Sequence, residues 1–536
     1  MSEKQPIYIL PENVQRMIGQ DAQRNNILAA RIVADTVKTT LGPKGMDKML
    51  VDSVGDITVT NDGVTILEEM QIEHPAAKMM VEIAKTQEQE VGDGTTTAVM
   101  LAGKLLENAE KLLDKRIHPT VITKGYGIAV EKSREILKSL ATKITPNDEY
   151  ILRQIAMTAM TGKGAEGVKE KFADIIVRAV KQISNNGSVD LNNIKIEKIK
   201  GEEMRDTELI SGIVIDKEKL SIDMPSRIEN ARIALLDVAL EIKGPETEAK
   251  ISISSPEQLQ NFIDSEERTL KEMIEKIKKT GAKVVFCQKG IDDVAQYYLT
   301  KARIYACRRI AKSDMEKIAM ATGGKIVSNL NELTSEELGE AKFVEEIKHG
   351  DEAMTYVTGC INPKALTIMI HGGTEHVVDE TERAIKDGLG DVNAALKDGL
   401  VVAGGGAIEM ELARKLREFS QSLSGREQLA IEEFASALEY IPVTLAENAG
   451  LDPIDTLTEL KAAHDNGEKN AGLNLFTNKI ENNFEQGIIE PLKIKTQALS
   501  SATEVAMMIL RIDDVIAAGN KGGASGGMPS PNYDME

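Results

Sequence analysis

Val91-Gly92-Asp93-Gly94-Thr95-Thr96-Thr97 sets one carboxylate between two glycines and follows it with three hydroxyls. An apolar run from Ala98 to Ala102 begins at once and has helical character. Glycine lets the backbone approach an anion closely. A helix start offers unpaired N–H groups and the positive end of the helix dipole. The combination makes a phosphate site. Asp93 adds the kind of acid that holds Mg²⁺, which keeps several waters and takes one or two carboxylates with phosphate oxygens. The same residues also read as an ordinary Thr-capped helix after a glycine turn. The rest of the chain has to choose between these readings.

Upstream, residues 6–10 read as a short strand and residues 21–41 as a helix. That helix runs into Leu41-Gly42-Pro43-Lys44-Gly45, where a proline between glycines ends it. Lys44 does not make this a Walker A loop, because the Gly-Lys-Ser/Thr ending is missing. Met49–Val51 and Ile57–Thr60 read as a hairpin, and Asn61-Asp62-Gly63 follows the second strand directly. A carboxylate at a strand end, just before helix 64–70, is a common place for chemistry and also a common turn. Helical patterns occupy 75–90, 95–115, 119–141 and 147–160, ended by Thr161-Gly162-Lys163-Gly164. Lys163 on its glycine turn reads locally as an exposed lysine.

Downstream the texture changes near residue 190. Strand patterns appear at 191–200, 209–215, 233–237, 282–287, 325–328, 341–347, 354–361 and 366–370, with Gly212 a candidate bulge or hinge. Helices are expected at 256–280 and 291–311. The first carries Leu259, Phe262, Ile263 and further apolar residues at helical spacing, which periodicity alone assigns to an amphipathic core helix. Beyond 370 the helices return at 375–398, 408–420, 425–449, 453–464 and 493–518. Gly404-Gly405-Gly406 opens one of them and repeats the anion-site logic. Residues 519–536 are Gly/Ser/Pro-rich and read as a disordered tail.

The totals are those of a soluble globular protein of several domains: 536 residues, 42% hydrophobic and 28% charged. With no Trp and only 3% aromatics, the cores must be aliphatic and use the 22 Met. A net charge of −20 argues against nucleic acid or an anionic membrane surface as partner. Cys287, Cys307 and Cys360 are too few and too scattered for a disulfide framework or a zinc site, and read as thiols in a reducing cytoplasm. No secretory signal and no apolar stretch near the ~20 residues of a spanning helix is visible.

The glycine signals at 42–45, 92–94 and 404–406 all lie in the two helical flanks. The economical arrangement is one helical domain made from both ends, with the middle inserted, and one nucleotide site gathering all three loops. Asp62 and Asp387 would orient a water and Lys163 would face the terminal phosphate, which are the needs of phosphoryl transfer to water.

Three signatures now match a family. Val37-Lys38-Thr39-Thr40-Leu41-Gly42-Pro43-Lys44-Gly45-Met46-Asp47-Lys48-Met49-Leu50, Thr60-Asn61-Asp62-Gly63 with Thr65-Ile66-Leu67, and Gln87-Glu88 through Thr97 closely resemble those of the group II chaperonins. Lys495-Thr496-Gln497-Ala498 and Ile509-Leu510-Arg511-Ile512-Asp513-Asp514 are similar to the C-terminal pattern. This is the family of the thermosome and its eukaryotic cytosolic relatives, and the resemblance to the archaeal form covers nearly the whole chain.

The resemblance implies a multidomain α+β fold. The equatorial ATPase domain would be 1–145 with 405–520, the intermediate hinge domain 146–215 with 370–404, and the apical domain 216–369 with a helical protrusion at about 245–280; 521–536 would be the tail. It implies ATP with Mg²⁺, Asp93 as metal ligand, and Leu41, Gly42, Pro43, Gly94, Thr95, Thr96, Thr97, Gly405 and Glu490 around the nucleotide. Asp62 and Asp387 resemble the pair that orients the attacking water, and Lys163 the residue that senses the γ-phosphate. Leu259, Phe262 and Ile263 become lid or client contacts rather than core. Such chains form two stacked rings, usually of eight subunits, that enclose unfolded polypeptides in the cytoplasm. Related subunits and prefoldin-like cochaperones are further candidate partners. A soluble phosphotransferase with a small-molecule acceptor and an ATP-independent holdase are the rival readings. The chain departs from the family at Gly388, where Ala is usual, and at Asp391 and Asn393, where a more apolar stretch is expected. Gly388 lowers helix propensity by ~1 kcal/mol, so a looser hinge is expected there.

Overall fold

The computed structural model describes residues 14–184, 189–242, 255–350, 352–361 and 363–518. The strand expected at 6–10, the tail and the first part of the expected protrusion lie outside the described residues.

Both chain ends build one helical body. The Gln20–Lys38, Thr95–Asp114 and Pro119–Leu140 helices pack with Glu427–Leu438 and Leu492–Leu510. Their shared core joins Ile27, Met100 and Leu105 to Phe434, Leu438, Leu499 and Ile509. With so few aromatics the contacts are mostly Ala, Val, Ile and Leu, which let helices approach closely. Tyr126 is an exception. Its ring meets Phe434 edge-on at 5.6 Å, and its hydroxyl donates to the Leu105 carbonyl at 2.7 Å.

A second core gathers Leu152, Ile155, Phe172, Ile176, Ile368, Ile370, Ile385 and Leu389. Here a three-stranded sheet holds Leu366–Gly372 between Ile194–Lys200, parallel, and Glu208–Ile210, antiparallel. The Lys169–Ile183 and Glu375–Asp398 helices both contribute residues to this core. A seven-stranded sheet forms the third body, with Arg227–Leu236 and Gly339–His349 adjacent and antiparallel at its centre. Leu270, Ile274, Ile277 and Leu299 pack in one of its cores, and Met315 and Ile318 in the other.

The expected strand at 209–215 is two strands in different sheets. Glu208–Ile210 pairs with Leu366–Gly372, whereas Gly212–Ile215 pairs with Glu352–Thr358, so the break falls at the flagged glycine. The expected helix 291–311 stops at Lys301, and Tyr305–Cys307 is a buried strand parallel to Val284–Cys287. Tyr305, Ala306 and Cys307 are wholly buried, and sheet burial overrides the continued helical spacing. The expected helix 493–518 ends at Leu510; Asp514–Ala518 pairs antiparallel with Val14–Ile18, a partner far outside any periodicity window. The expected helix 425–449 divides into Glu427–Leu438 and Tyr440–Asn448. The Lys169–Ile183 and Lys312–Thr322 helices and the Ala471–Asn474/Lys479–Asn482 hairpin were not foreseen.

The Glu375–Asp398 helix runs unbroken through Gly388. A Cβ there would lie 2.6 Å from Ile176 Cδ1, so the missing side chain serves close packing of two helices. A propensity argument treats this space as solvent and so does not see that a neighbouring side chain fills it.

Candidate functional site

A cavity of about 310 Å³ opens where the helical body meets the second core. Gly94, in the left-handed region at φ 79°, is the N-cap of the Thr95–Asp114 helix and provides no side-chain cap. A Cβ at Gly94 would lie 2.7 Å from Ile494 Cγ2. Thr95, Thr96 and Thr97, the first turn of this helix, line the cavity, and no side chain caps the helix start, an arrangement that suits an anion. Gln87 pins this loop: its Nε2 donates to the Asp93 carbonyl at 2.9 Å and to the Ile494 carbonyl at 3.3 Å.

Asp62 reaches the same cavity from the end of the Ile57–Thr60 strand. It is also an N-cap: its Oδ2 accepts from Thr65 N at 2.8 Å and from Thr65 Oγ1 at 2.7 Å. The turn reading of Asn61-Asp62-Gly63 therefore holds, and the same carboxylate also lines the cavity. Asn61 Nδ2 donates to the Gly162 carbonyl at 2.8 Å, tying this strand end to the turn that carries Lys163.

Lys163 joins the two bodies electrostatically. Its Nζ lies 2.6 Å from Asp387 Oδ2 and 3.3 Å from Asp93 Oδ1. Burial alone would lower the Lys163 pKa, but the charges of Asp387 and Asp93 outweigh it and keep the ammonium protonated. Burial, with Asp93 and Asp62 nearby, pushes Asp387 up to about 7 against the pull of Lys163. On the opposite side, Lys495 Nζ bridges Glu490 at 2.5 Å and Glu409 at 2.9 Å.

The cavity brings together every expected nucleotide-site residue: Leu41, Gly42, Pro43, Gly94, Thr95, Thr96, Thr97, Gly405 and Glu490, with Asp62, Asp93 and Lys163. Asp387 does not line it and stands behind Lys163 as its closest partner. Phe262 and Ile263 belong to the Pro256–Lys279 helix of the third body and are exposed at 39% and 46%, so they are not the core residues that periodicity alone assigns. The side chain of Leu259 lies outside those described. Sequence reasoning missed Gln154, Asn474, Phe476 and Asp391 on the wall. The first three sit in or beside elements it did not place against the site; Asp391 was noticed only as out of character.

Among the described residues the lining contains no His and no Cys, and its acidic side chains are Asp62, Asp93, Asp391 and Glu490, oxygen donors suited to a hard cation. Among the described residues no group of three or more His, Cys, Asp or Glu is poised around one point. One or two carboxylates with phosphate oxygens and water, the pattern usual for Mg²⁺, fit this arrangement.

Comparison with known proteins gives the setting. The sequence profile of the TCP-1/cpn60 chaperonin family matches residues 33–520. The chain belongs to the TCP-1/cpn60 chaperonin family. It is 61% identical over 516 residues to a thermosome subunit of Methanopyrus kandleri, covering 96% of this chain and 95% of the relative. To the thermosome subunit beta of Archaeoglobus fulgidus it is 60% identical over 534 residues, with 98% of each covered. Among solved structures it is similar to an open-state monomer of a group II chaperonin from Methanococcoides burtonii, at TM-score 0.59 and 49% identity, over 79% of this chain and all of that one.

The chaperonin site makes a clear demand at Gly405, at φ 66°, where a Cβ would lie 2.3 Å from Asn483 Nδ2 and 2.7 Å from the Leu473 carbonyl. Gly405→Ala is expected to lower stability by about 2 kcal/mol or more through backbone strain and overpacking. Thermal unfolding measures this, and an unchanged midpoint would contradict it.

Proposed function

We propose that this chaperonin subunit binds ATP with Mg²⁺ in the cavity between its helical body and its second core, and hydrolyses it to drive chaperone action on unfolded polypeptides. The observation that carries the reading is the convergence of Gly42, Asp62, Asp93–Thr97, Lys163, Gly405 and Glu490 on one cavity from both chain ends. The Gly94–Thr97 helix start and the Gly42 loop bind phosphates through backbone N–H groups. Asp93 holds the metal ion, whose chemistry when bound is to neutralise phosphate charge. Asp62, on the cavity wall, positions a water in line with the terminal phosphate; Asp387 completes the pair from behind Lys163 once that ammonium turns to the phosphate and stabilises the charge that develops there.

The three bodies correspond to an equatorial domain (1–145 and 405–520), an intermediate domain (146–215 and 370–404) and an apical domain (216–369). Lys163 and Asp387 belong to the intermediate domain, Asp62 and Asp93 to the equatorial one. A terminal phosphate competes with Asp387 and Asp93 for the Lys163 ammonium, so nucleotide binds one relative placement of the domains better than another. That difference is what a population shift requires. Phe262 and Ile263 act at the lid or on clients. No helix among the described residues is long and apolar enough to cross a membrane.

Ring assembly is supported by two sheets of only two strands. The Lys48–Val51/Ile57–Thr60 hairpin exposes Met49, Val51, Ile57 and Val59, and the Val14–Ile18/Asp514–Ala518 ribbon exposes Ile18 and Ile516. Apolar edge strands of this kind invite pairing with another subunit. Val51→Asp is expected to shift the assembly toward single subunits on sizing; full-size particles from this variant would count against the hairpin.

Phosphate release from ATP without any acceptor, together with electron microscopy of the assembly with and without ATP, tests the whole proposal. ATP consumption that required an added metabolite would overturn it.

A further inference from the structure

The Glu375–Asp398 helix sets Asp387 and Asp391 four residues apart, one turn above the other. Asp387 has Lys163 as its partner. Asp391 is 1% exposed and lies on the cavity wall, and its Oδ1 is buried with no hydrogen-bond partner among the described residues. The charges acting on it are Asp93, Lys163, Asp387 and Glu490, three of them of its own sign. Burial first, and then Asp93, holds its carboxyl well above the usual carboxylate range. An apolar side chain would fill this wall without leaving an oxygen unsatisfied.

The backbone brings Asp391 to the loop of Asp93. A Cβ on Gly92 would lie 3.5 Å from Gly390 Cα, and a Cβ on Gly390 would lie 3.1 Å from the Val91 carbonyl. Asp93 and Asp391 each follow directly on one of these touching glycines. Lys163 is already engaged by Asp387 and Asp93, so it leaves the Asp391 oxygen unmatched.

We propose that Asp391 is a second oxygen ligand for a divalent cation shared with Asp93, so that this subunit takes up the free cation without nucleotide. The inference rests on the reading of Asp93 as a metal ligand. Two carboxylates with retained waters meet the needs of a hard cation, and such a cation satisfies the Asp391 oxygen while offsetting the excess of acids. It also anchors the cation to both the Gly92–Gly94 loop and the Glu375–Asp398 helix.

Mn²⁺ is the probe, titrated into the intact assembly without nucleotide while the paramagnetic resonance signal of free Mn²⁺ is followed. The parent protein, Asp391→Asn and Asp93→Asn are compared, with thermal unfolding as the check on folding. The expected result is saturable binding by the parent and a loss of affinity of about tenfold or more in both variants. No binding by the parent, or parental affinity in Asp391→Asn, overturns the proposal. If Asp391→Asn matches the parent while Asp93→Asn is weakened, the Asp93 assignment survives; if both match, that assignment falls as well.

Discussion

Asp387→Ala is expected to lower ATP turnover by about two orders of magnitude or more, the range usual for loss of a positioned acid–base group, while ATP binding stays near the parental affinity. The reasoning starts from placement. Asp387 does not line the cavity, so it gives up no direct contact with most of a bound nucleotide when truncated. It does hold Lys163 Nζ at 2.6 Å, and burial beside Asp93 and Asp62 raises its carboxyl toward neutrality, where a group can take a proton from water at ordinary pH. Phosphate release in a single turnover and ATP affinity by calorimetry separate the two effects. Turnover near the parental rate would remove Asp387 from the mechanism. An equal fall in affinity and turnover would make it a structural support for Lys163 instead.

How much of this site was legible in the sequence depends on how local each signal is. Gly92–Thr97 carries glycines, acid and hydroxyls in a few residues, and the structure shows an uncapped helix start there. Asp62 was visible because a strand end and a helix cap are both short-range features. Gathering the glycine loops into one cavity needed only the similar texture of the two flanks. What was missed depends on distant partners. The Asp514–Ala518 strand reads as more helix until Val14–Ile18 is beside it. Tyr305–Cys307 reads as helix until Val284–Cys287 supplies a ladder. Leu473, Asn474 and Phe476 enter the cavity on a hairpin turn whose sequence holds no strong periodicity. Gly388 was judged by propensity, a property of isolated helices, whereas its role is set by Ile176 across the interface. Asp391 stood out as an acid where apolar residues were expected, and only its burial and its unmatched oxygen give that oddity a chemical meaning.

Lys163→Met should move turnover and cation affinity in opposite directions. Methionine keeps length and packing but removes the ammonium that stands 2.6 Å from Asp387 and 3.3 Å from Asp93. Without it one of the groups that offset the charge developing on the terminal phosphate is lost, and turnover should fall by roughly 10²–10³-fold, the range found when one preorganised donor is removed. The same loss leaves Asp93, Asp387 and Asp391 with less opposing charge, so a free divalent cation should bind more tightly than in the parent. A lysine that merely braced the turn would weaken both properties together, because a loosened turn would release Asn61 from the Gly162 carbonyl and spoil the cavity wall. Mn²⁺ titration and phosphate release on the same preparation distinguish these cases. Tighter cation binding with slower turnover places the Lys163 charge at the phosphate, whereas parallel losses would assign it to the architecture of the turn.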